Sequence, residues 1–438
     1  MTMTSDWSGR ELHFVGIGGA GMSGLALIAI ELGAVVSGSD PGGAPILDVL
    51  RSKGAAISSV HDEANVSLGS DVVRTSAVDD NNVEVAAALE RGQTVLHRSE
   101  LLAEMTRLKR TIAVTGTHGK TTTSAMVLRA LRGAGIDAGW VIGAGLQDGE
   151  ASAGWGSSEW LVVEADESDR SLLVLDTEVG VITNLELDHH ATYSSFEDLV
   201  ETVNQFAVAA DHVVLADGDG LEAFAGLPTA VRRFPDGATA ADGGSTFTWS
   251  GLPVEVAVPG LHNASNAAAA LEAAAFASED NEGLIAGIAE FRGTSRRFEL
   301  KGSMTCGARV YDDYAHHPTE VAATIAAART MGAERVIAAF QPHLFSRTQE
   351  LAEEFAQALS KADHAFISDI YPARESQSDF PSVTAATVSA LASESVEEVG
   401  GLPELTQALR AESRDGDLVL LMGAGDIGSI AEGLLNDR

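Results

Sequence analysis

Cysteine is almost missing from this sequence: Cys306 is the only one in 438 residues. That excludes an intrachain disulfide and any metal centre built from several thiolates, and it fits a reducing compartment. Basic residues are also scarce, 28 Lys and Arg against 63 Asp and Glu, for a formal charge of −35. A field of that sign repels nucleic acid and anionic membrane surfaces, so neither is expected as a partner. It repels ATP as well, so a phosphate site must bring its own cations, backbone amides and metal ions. Long apolar runs are absent; the stretch Leu25–Ile30 is far shorter than the about 20 residues a membrane helix needs. The opening MTMTSDWSGRELHF carries no basic run followed by an apolar one, so no secretory signal is expected and a cytoplasmic location is.

Glycine is plentiful, at 45 residues. Together with the many alanines, this points to tight turns and closely packed helices, hence α/β architecture over a β-sandwich. At roughly 100–200 residues per domain, two to four domains are expected.

Strand-like runs that feed glycine or polar turns recur along the chain. The first, LHFVGIG, leads into a helix expected over Met22–Leu32 and a second strand, AVVSGSD, with further short strands around Val72–Val73 and Thr94–Leu96. The second, TIAVTGTHGKTTT, starts near residue 110 and is followed by the strands WLVVEADESD, GVITNLELDHH and DHVVLADGD. The stretch between Pro228 and Val258 reads as turns with a small antiparallel excursion, and an alanine-rich helix is expected over Ala264–Ala277. A third series starts near Lys301: RVYDDYAHHPTE, RVIAAFQPHLFSRT, HAFISDIYPARE and DLVLLMGAGDIG each read as a strand ending in a polar loop. Alternating strands and helices predict mostly parallel sheets, whose ligands bind at the carboxyl ends of the strands.

Gly16-Ile-Gly18-Gly19-Ala20-Gly21 satisfies G-x-G-x-x-G after a strand, with Asp40 at the end of the next strand. This is the dinucleotide fingerprint, although any diphosphate-bearing ligand could use the amides and helix N-terminus it exposes. The bland alternative is a glycine turn used only for helix–strand packing. The second motif, Gly116-Thr117-His118-Gly119-Lys120-Thr121-Thr122, has the G-K-T core of a P-loop, but Val114 stands where the first glycine of the strict pattern belongs. Lys120 can neutralise β- and γ-phosphates, and the Thr121 hydroxyl can reach Mg²⁺. Glu164 ends an apolar strand in the manner of a Walker B acid, with Asp166, Glu167 and Asp169 beside it. Alone, such a cluster reads as a solvated loop; with a P-loop on the same sheet, a metal role is the better reading. Asp188-His189-His190 follows another strand, and Mg²⁺ prefers oxygen ligands over imidazole. A third glycine motif, Gly423-Ala-Gly425-Asp-Ile-Gly428, lies too near the chain end to be followed by the strand and acid of a dinucleotide site, and reads as a turn at a domain interface.

At this point the chain resembles the Mur ligases over essentially its whole length. The motifs HFVGIGGAGMSG, SGSD, GTHGKTTT, EADESD, TNLELDHH, PGLHNASNAAAA, RRFE, DDYAHHPTE, FQPHLFSRT and GAGDIG occur in that family's order. The resemblance implies a Rossmann-like domain for a UDP-sugar over 1–108, a central P-loop ATPase-type domain over 109–299, and a Rossmann-like closing domain over 300–438. The polar stretch Arg296–Lys301 would be the hinge. It also moves the first glycine motif from NAD to UDP-N-acetylmuramate: Gly18, Gly19, Ala20 and Gly21 would hold the diphosphate, while Asp40, His61, Ser76 and Arg98 line the groove. Gly116–Thr122 would hold ATP, with Lys120 and Thr121 at the γ-phosphate and one Mg²⁺. Glu164 would coordinate that ion and His189 a second. Asn263 and Asn266 would lie on the adenine side, Arg297 at the phosphates and Asp313 at the ribose. Tyr314, His316 and Arg347 would hold the muramyl carboxylate and incoming L-alanine, with His316 a candidate base. Leu344 stands where some members carry a basic residue, which puts one contact of that site in question. The activity implied is ATP-dependent amide formation on UDP-N-acetylmuramate, by a monomer or homodimer; HFVGIGGAGMSG and HHPTE favour the alanine-adding member. The near alternative is a related ligase adding another amino acid or a peptide. A nicotinamide-dependent oxidoreductase would leave GTHGKTTT and Glu164 unexplained, and a non-enzymatic nucleotide switch would leave DDYAHHPTE and QPHLFSRT unexplained.

Overall fold

The computed structural model describes residues 7–436 except 189–191, 225, 228–229, 233–234 and 242, with side chains also left out at 230–232 and 241. The fold is α/β in three domains, each built on a sheet, and the described chain divides into two compact units, Met1–Phe234 with Ser265–Glu290 and Pro235–Ala264 with Phe291–Arg438.

The first unit contains two sheets. Strands β1 (Glu11–Val15), β2 (Val35–Ser39), β3 (Ala56–Ser58), β4 (Asp71–Arg74) and β5 (Val95–His97) form a parallel sheet in the order β3-β2-β1-β4-β5. The order reverses between β1 and β4, which is where a doubly wound sheet opens a crevice for a ligand. The second sheet uses β6 (Arg110–Thr115), β7 (Gly139–Val141), β8 (Ala153–Gly154), β9 (Trp160–Glu164), β10 (Val179–Ile182), β11 (His212–Leu215) and β12 (Ala230–Arg232), in the order β12-β11-β10-β6-β9-β7-β8. Only the β7–β8 pair is antiparallel. β6, β9 and β10 lie in the middle of the sheet and are covered on both faces, so they read as continuous apolar runs in the sequence.

One apolar core serves both sheets, running from Leu12 and Phe14 through Leu161 and Val163 to Phe206 and Phe224. The first two sheets therefore belong to one compact unit, whereas 235–264 and 291–299 of the expected central domain group with the second unit. The helix Ala20–Glu31 has Met22 to Ala29 buried, and its Gly24 lies so close to β8 that a Cβ there would be 3.0 Å from the Ala153 methyl. The helix Arg98–Thr106 starts with a capping box, His97 accepting from the first turn and Glu100 accepting from the His97 amide. That cap fixes Arg98 at the first helical position.

In the second unit β13 (Asp236–Ala241), β14 (Gly244–Trp249) and β15 (Leu252–Val256) form the small antiparallel sheet that the irregular stretch predicted. The six-stranded sheet contains β16 (Glu299–Ser303), β17 (Arg309–Asp313), β18 (Val336–Phe340), β19 (His364–Ser368), β20 (Val396–Gly400) and β21 (Leu418–Met422), in the order β16-β17-β21-β18-β19-β20. Only β16 runs antiparallel to its neighbour. The expected hinge contains two residues in the left-handed region, Arg296 (φ 57) and Phe298 (φ 49), just before β16.

Element boundaries differ from the sequence reading where the pattern is silent. The alanine-rich helix spans Leu261–Ala274, starting directly after Gly260. The alanine run hid its polar first turn, which is where Asn263 lies. The first helix likewise begins at Ala20, inside the glycine motif, because the glycine turn already supplies the entry to the helix.

Candidate active site

The P-loop is built by a buried strand that ends in an abrupt turn. β6 delivers Thr115, and the helix Lys120–Gly133 begins five residues later. Gly119 caps that helix with φ 81, and a Cβ on it would lie 2.9 Å from Asn266 Oδ1, so both conformation and space require glycine. The loop between is clamped from β10: the Asn184 carbonyl accepts from the Thr117 amide at 3.1 Å, and Asn184 Oδ1 accepts from the His118 amide at 3.0 Å. Thr183 Oγ1 donates to the His118 carbonyl at 2.6 Å. The TNLE segment is thus the frame of the loop. His189, further along the same segment, lies outside the described residues.

Lys120 is surrounded by acids. Its ammonium lies 2.7 Å from Glu167 Oε2 and donates to the Gly116 carbonyl at 2.7 Å. Burial would lower its pKa, but the carboxylates of Glu167, Asp166 and Glu164 outweigh that and hold it above the ordinary lysine value. Asp166, only partly buried, is held below the usual carboxylate range; desolvation opposes this, and Lys120, the Ser168 amide and hydroxyl, and Arg98 produce it. Glu164 lies level with Val114 of β6 and accepts from the Gly143 amide at 2.8 Å. Thr121 is buried in the first turn of the helix, followed by Thr122. Lysine, threonine and three acids therefore converge at the carboxyl ends of β6 and β9. Oxygen donors of this kind suit a divalent cation bound beside a nucleotide.

The first glycine loop is furnished differently. The Gly18 amide donates to Asp40 Oδ2 at 2.8 Å, and Asp40 Oδ1 accepts from the Gly42 amide at 2.7 Å. A Cβ on Gly18 would lie 2.7 Å from that carboxylate, so the loop and Asp40 hold one another. Gly19 and Ala20 begin the helix, and Arg98 lies over Gly21, where an added Cβ would be 3.2 Å from its Nη1. Arg98 also pairs with Asp169 at 3.2 Å and Asp166 at 3.6 Å, linking the first sheet to the P-loop acids. Ser76 Oγ lies 3.0 Å from His97 Nε2. His61 Nδ1 lies 2.7 Å from Ser39 Oγ and 3.1 Å from Glu84 Oε2. Glu84 is fully buried, and the sequence reading missed it. Burial would raise its pKa, but the neighbouring His13 imidazole and bonds from Ser39 and Asn65 pull it down to about 2, so it stays ionised.

The second unit gathers its polar residues at the ends of β17, β18, β19 and β21. Asp313 ends β17 and accepts from the Ala315 and Phe298 amides, each at 2.8 Å. Burial pushes its carboxyl up to about 6, despite Arg297 nearby. The Arg297 guanidinium lies 5.1 Å from the Tyr314 ring centroid and 3.3 Å from Glu320 Oε1. His316 and Tyr314 meet edge to face at 5.3 Å, and His316 and His343 at 6.2 Å. His343 stacks on Tyr371 at 5.7 Å and lies 3.4 Å from Arg347 Nη1. Tyr314, His316 and Arg347, grouped in the sequence reading, lie in one cluster of contacts together with His343, Tyr371 and Glu320. His262, next to Asn263, is exposed. Asn263 donates to the Pro259 carbonyl at 2.7 Å. Leu344 adopts φ 72 at the start of the helix Phe345–Glu350, an unusual backbone for a leucine.

The third glycine motif is filled by its own chain, as a turn. Arg296 donates to the Gly423 and Gly425 carbonyls at 2.7 and 3.2 Å, and a Cβ on Gly428 would lie 2.8 Å from Asp312 Oδ2.

Three family models match consecutive segments: "Mur ligase family, catalytic domain" over residues 11–110, "Mur ligase middle domain" over 114–274, and "Mur ligase, glutamate ligase domain" over 296–425. The UDP-N-acetylmuramate–L-alanine ligase of Clavibacter sepedonicus is 42% identical over 437 residues, covering 95% of this chain and 91% of that protein. The enzyme of the same name from Paenarthrobacter aurescens is 41% identical, covering 97% of each. Among solved structures, the UDP-N-acetylmuramate–alanine ligase of Thermotoga maritima superposes with a TM-score of 0.81 at 27% identity, covering 97% of this chain and 98% of that one. With the strand-end sites as described and relatives matching it from end to end, this chain belongs to the Mur ligase family.

Proposed function

We propose that the chain is an ATP-dependent, ADP-forming ligase that joins L-alanine to the carboxylate of UDP-N-acetylmuramate through an acyl phosphate, a step of peptidoglycan precursor synthesis. The observation that carries this reading is the end-to-end match to relatives bearing that name at 41–42% identity. Among the described residues, no helix is long and apolar enough to cross a membrane. The reading places the reaction in the cytoplasm, where ATP is available.

A carboxylate is a poor electrophile. Phosphorylation by ATP turns its oxygen into a leaving group; the alanine nitrogen then attacks the acyl carbon, and phosphate departs. The protein has to position the reactants and stabilise charge. Lys120 leaves its pairing with Glu167 to meet the γ-phosphate, with the P-loop amides of Gly116–Thr122. Thr121 and Glu164 would hold one Mg²⁺, and His189 would contact a second. When bound, the metal neutralises developing phosphate charge. Asn263, Asn266, Arg297 and Asp313 complete the nucleotide site. Gly18–Gly21, Asp40, His61, Ser76 and Arg98 take the UDP-sugar. Tyr314, His316 and Arg347 hold the muramyl carboxylate and L-alanine, and His316 accepts the ammonium proton.

The deciding experiment is phosphate release with ATP, Mg²⁺ and UDP-N-acetylmuramate, surveyed across amino acids. Stimulation by L-alanine above glycine and serine is expected. Release that needs no amino acid, or that answers to a different one, would overturn the assignment.

A further inference from the structure

Glu320 is the best-placed carboxylate that no role has yet absorbed. It lies in the first turn of the helix Pro318–Arg329, whose start is fixed by the His317 side-chain cap and Pro318. Its side chain is only 10% exposed. Both of its oxygens face proposed site residues. Oε1 lies 3.3 Å from Arg297 Nη1. Oε2 accepts from the His316 amide at 3.0 Å and lies 3.2 Å from the same residue's Nδ1. The Tyr314 carbonyl lies 3.0 Å from that Nδ1 as well.

These distances fix the imidazole chemically. A carboxylate oxygen and a carbonyl oxygen can only accept, so the ring nitrogen between them must carry the proton. In the neutral ring Nε2 is then the nitrogen that carries the lone pair. We propose that Glu320 is a positioning residue which, with the Tyr314 carbonyl, holds His316 as the Nδ1–H tautomer, so that Nε2 is the base for the incoming amine. This inference rests on the ligase reading above.

The step balances. Nε2 takes one proton from the alanine ammonium, the free amine forms the C–N bond at the acyl carbon, the C–O bond to phosphate breaks, and the second proton of that nitrogen leaves with the departing phosphate. The imidazolium so formed is stabilised by Glu320 through Nδ1, and its proton passes to released phosphate or solvent.

The test separates amine activation from acyl-phosphate formation. Hydroxylamine is largely unprotonated near neutral pH, so it can capture the acyl phosphate as a hydroxamate without a base. In Glu320→Gln, L-alanine ligation should fall about 100-fold, the scale of a lost general base. Hydroxamate formation from ATP, Mg²⁺ and UDP-N-acetylmuramate should stay within about threefold of the parent. His316→Ala should lose L-alanine ligation at least as far, and the double variant should be no worse than His316→Ala alone, since both act through one atom. Should Gln at 320 prevent folding, Glu320→Asp, which keeps the charge but draws the oxygens back by one methylene, supports the same comparison. Equal falls in ligation and hydroxamate formation, no fall in either, or additive losses in the double variant would each overturn the proposal. If the parent itself makes neither product, it is the ligase reading that fails.

Discussion

Two glycine loops in the first unit share a local plan, strand then turn then helix, yet they are furnished with charge in different ways. After β1, an acid holds the loop: Asp40 accepts from the Gly18 amide, and the nearby cation, Arg98, comes from a distant helix. After β6, the cation is in the loop itself and the acids come from the neighbouring strand end, with Lys120 set against Glu167 and Asp166. The first arrangement leaves one cation beside a helix N-terminus, enough for a diphosphate. The second concentrates mixed charge that a triphosphate and a metal ion can rearrange. The glycine pattern fixes where the backbone turns, and neighbouring strands decide what the turn binds.

The sharpest way to break this comparison is at Lys120. Lys120→Ala should lower ligation by about 10³-fold or more, consistent with losing a charge-stabilising donor. UDP-N-acetylmuramate affinity, read by calorimetry, should stay within about threefold; an equal loss there would mean the two loops do not divide the ligands as described. Next is Glu164→Gln, for which we expect about a 100-fold lower kcat and a higher Mg²⁺ requirement. A Mg²⁺ titration identical to the parent's would return Glu164 to the role of holding the Gly143 amide. The converse experiment is Gly18→Ala. Its new methyl meets Asp40, so the KM for the UDP-sugar should rise about tenfold while the KM for ATP holds. A rise in the KM for ATP instead would tie the first loop to the nucleotide.

Smaller effects separate sites from scaffolding. Gly428→Ala, in the self-filled third glycine motif, should cost about 1–3 kcal/mol of stability by crowding Asp312, with both KM values unchanged in kinetics on the folded fraction. Asp313 offers a test by pH. Its carboxyl is raised from the ordinary 3.8 to about 6, so the folded state binds the proton more tightly than the unfolded state. Stability from this group is therefore greatest below pH 4 and declines as pH rises to about 6. Relative to the parent, Asp313→Asn should gain on the order of 1–3 kcal/mol across that window and then level off, as measured by denaturant unfolding. A difference that is flat from pH 4 to 6 would show that Asp313 is not a buried acid of raised pKa.

Much of this molecule is local and was readable as such. Glycine turns after apolar runs located all three loops, because strand and turn preferences depend on neighbours in sequence. Lys120 and Glu164 stood out by their place just after or at the end of an apolar strand, whereas Arg297 and His316 entered through the family resemblance. What the sequence left blank were the partners. Glu84 lies in an ordinary-looking helix and becomes a buried charge only because Ser39, His61 and Asn65 come to it from other segments. Glu320 is one acid among 63 Asp and Glu until the fold places it between Arg297 and His316. His343 and Tyr371 meet because β18 and β19 are neighbours in a parallel sheet, which no pattern in either strand specifies. By itself, then, the sequence determined where the chain turns and which groups it carries to the strand ends. Only the tertiary structure decided which of those groups face one another, because hydrogen bonds and ion pairs between distant segments depend on strand order, and strand order is set by the packing of the whole sheet.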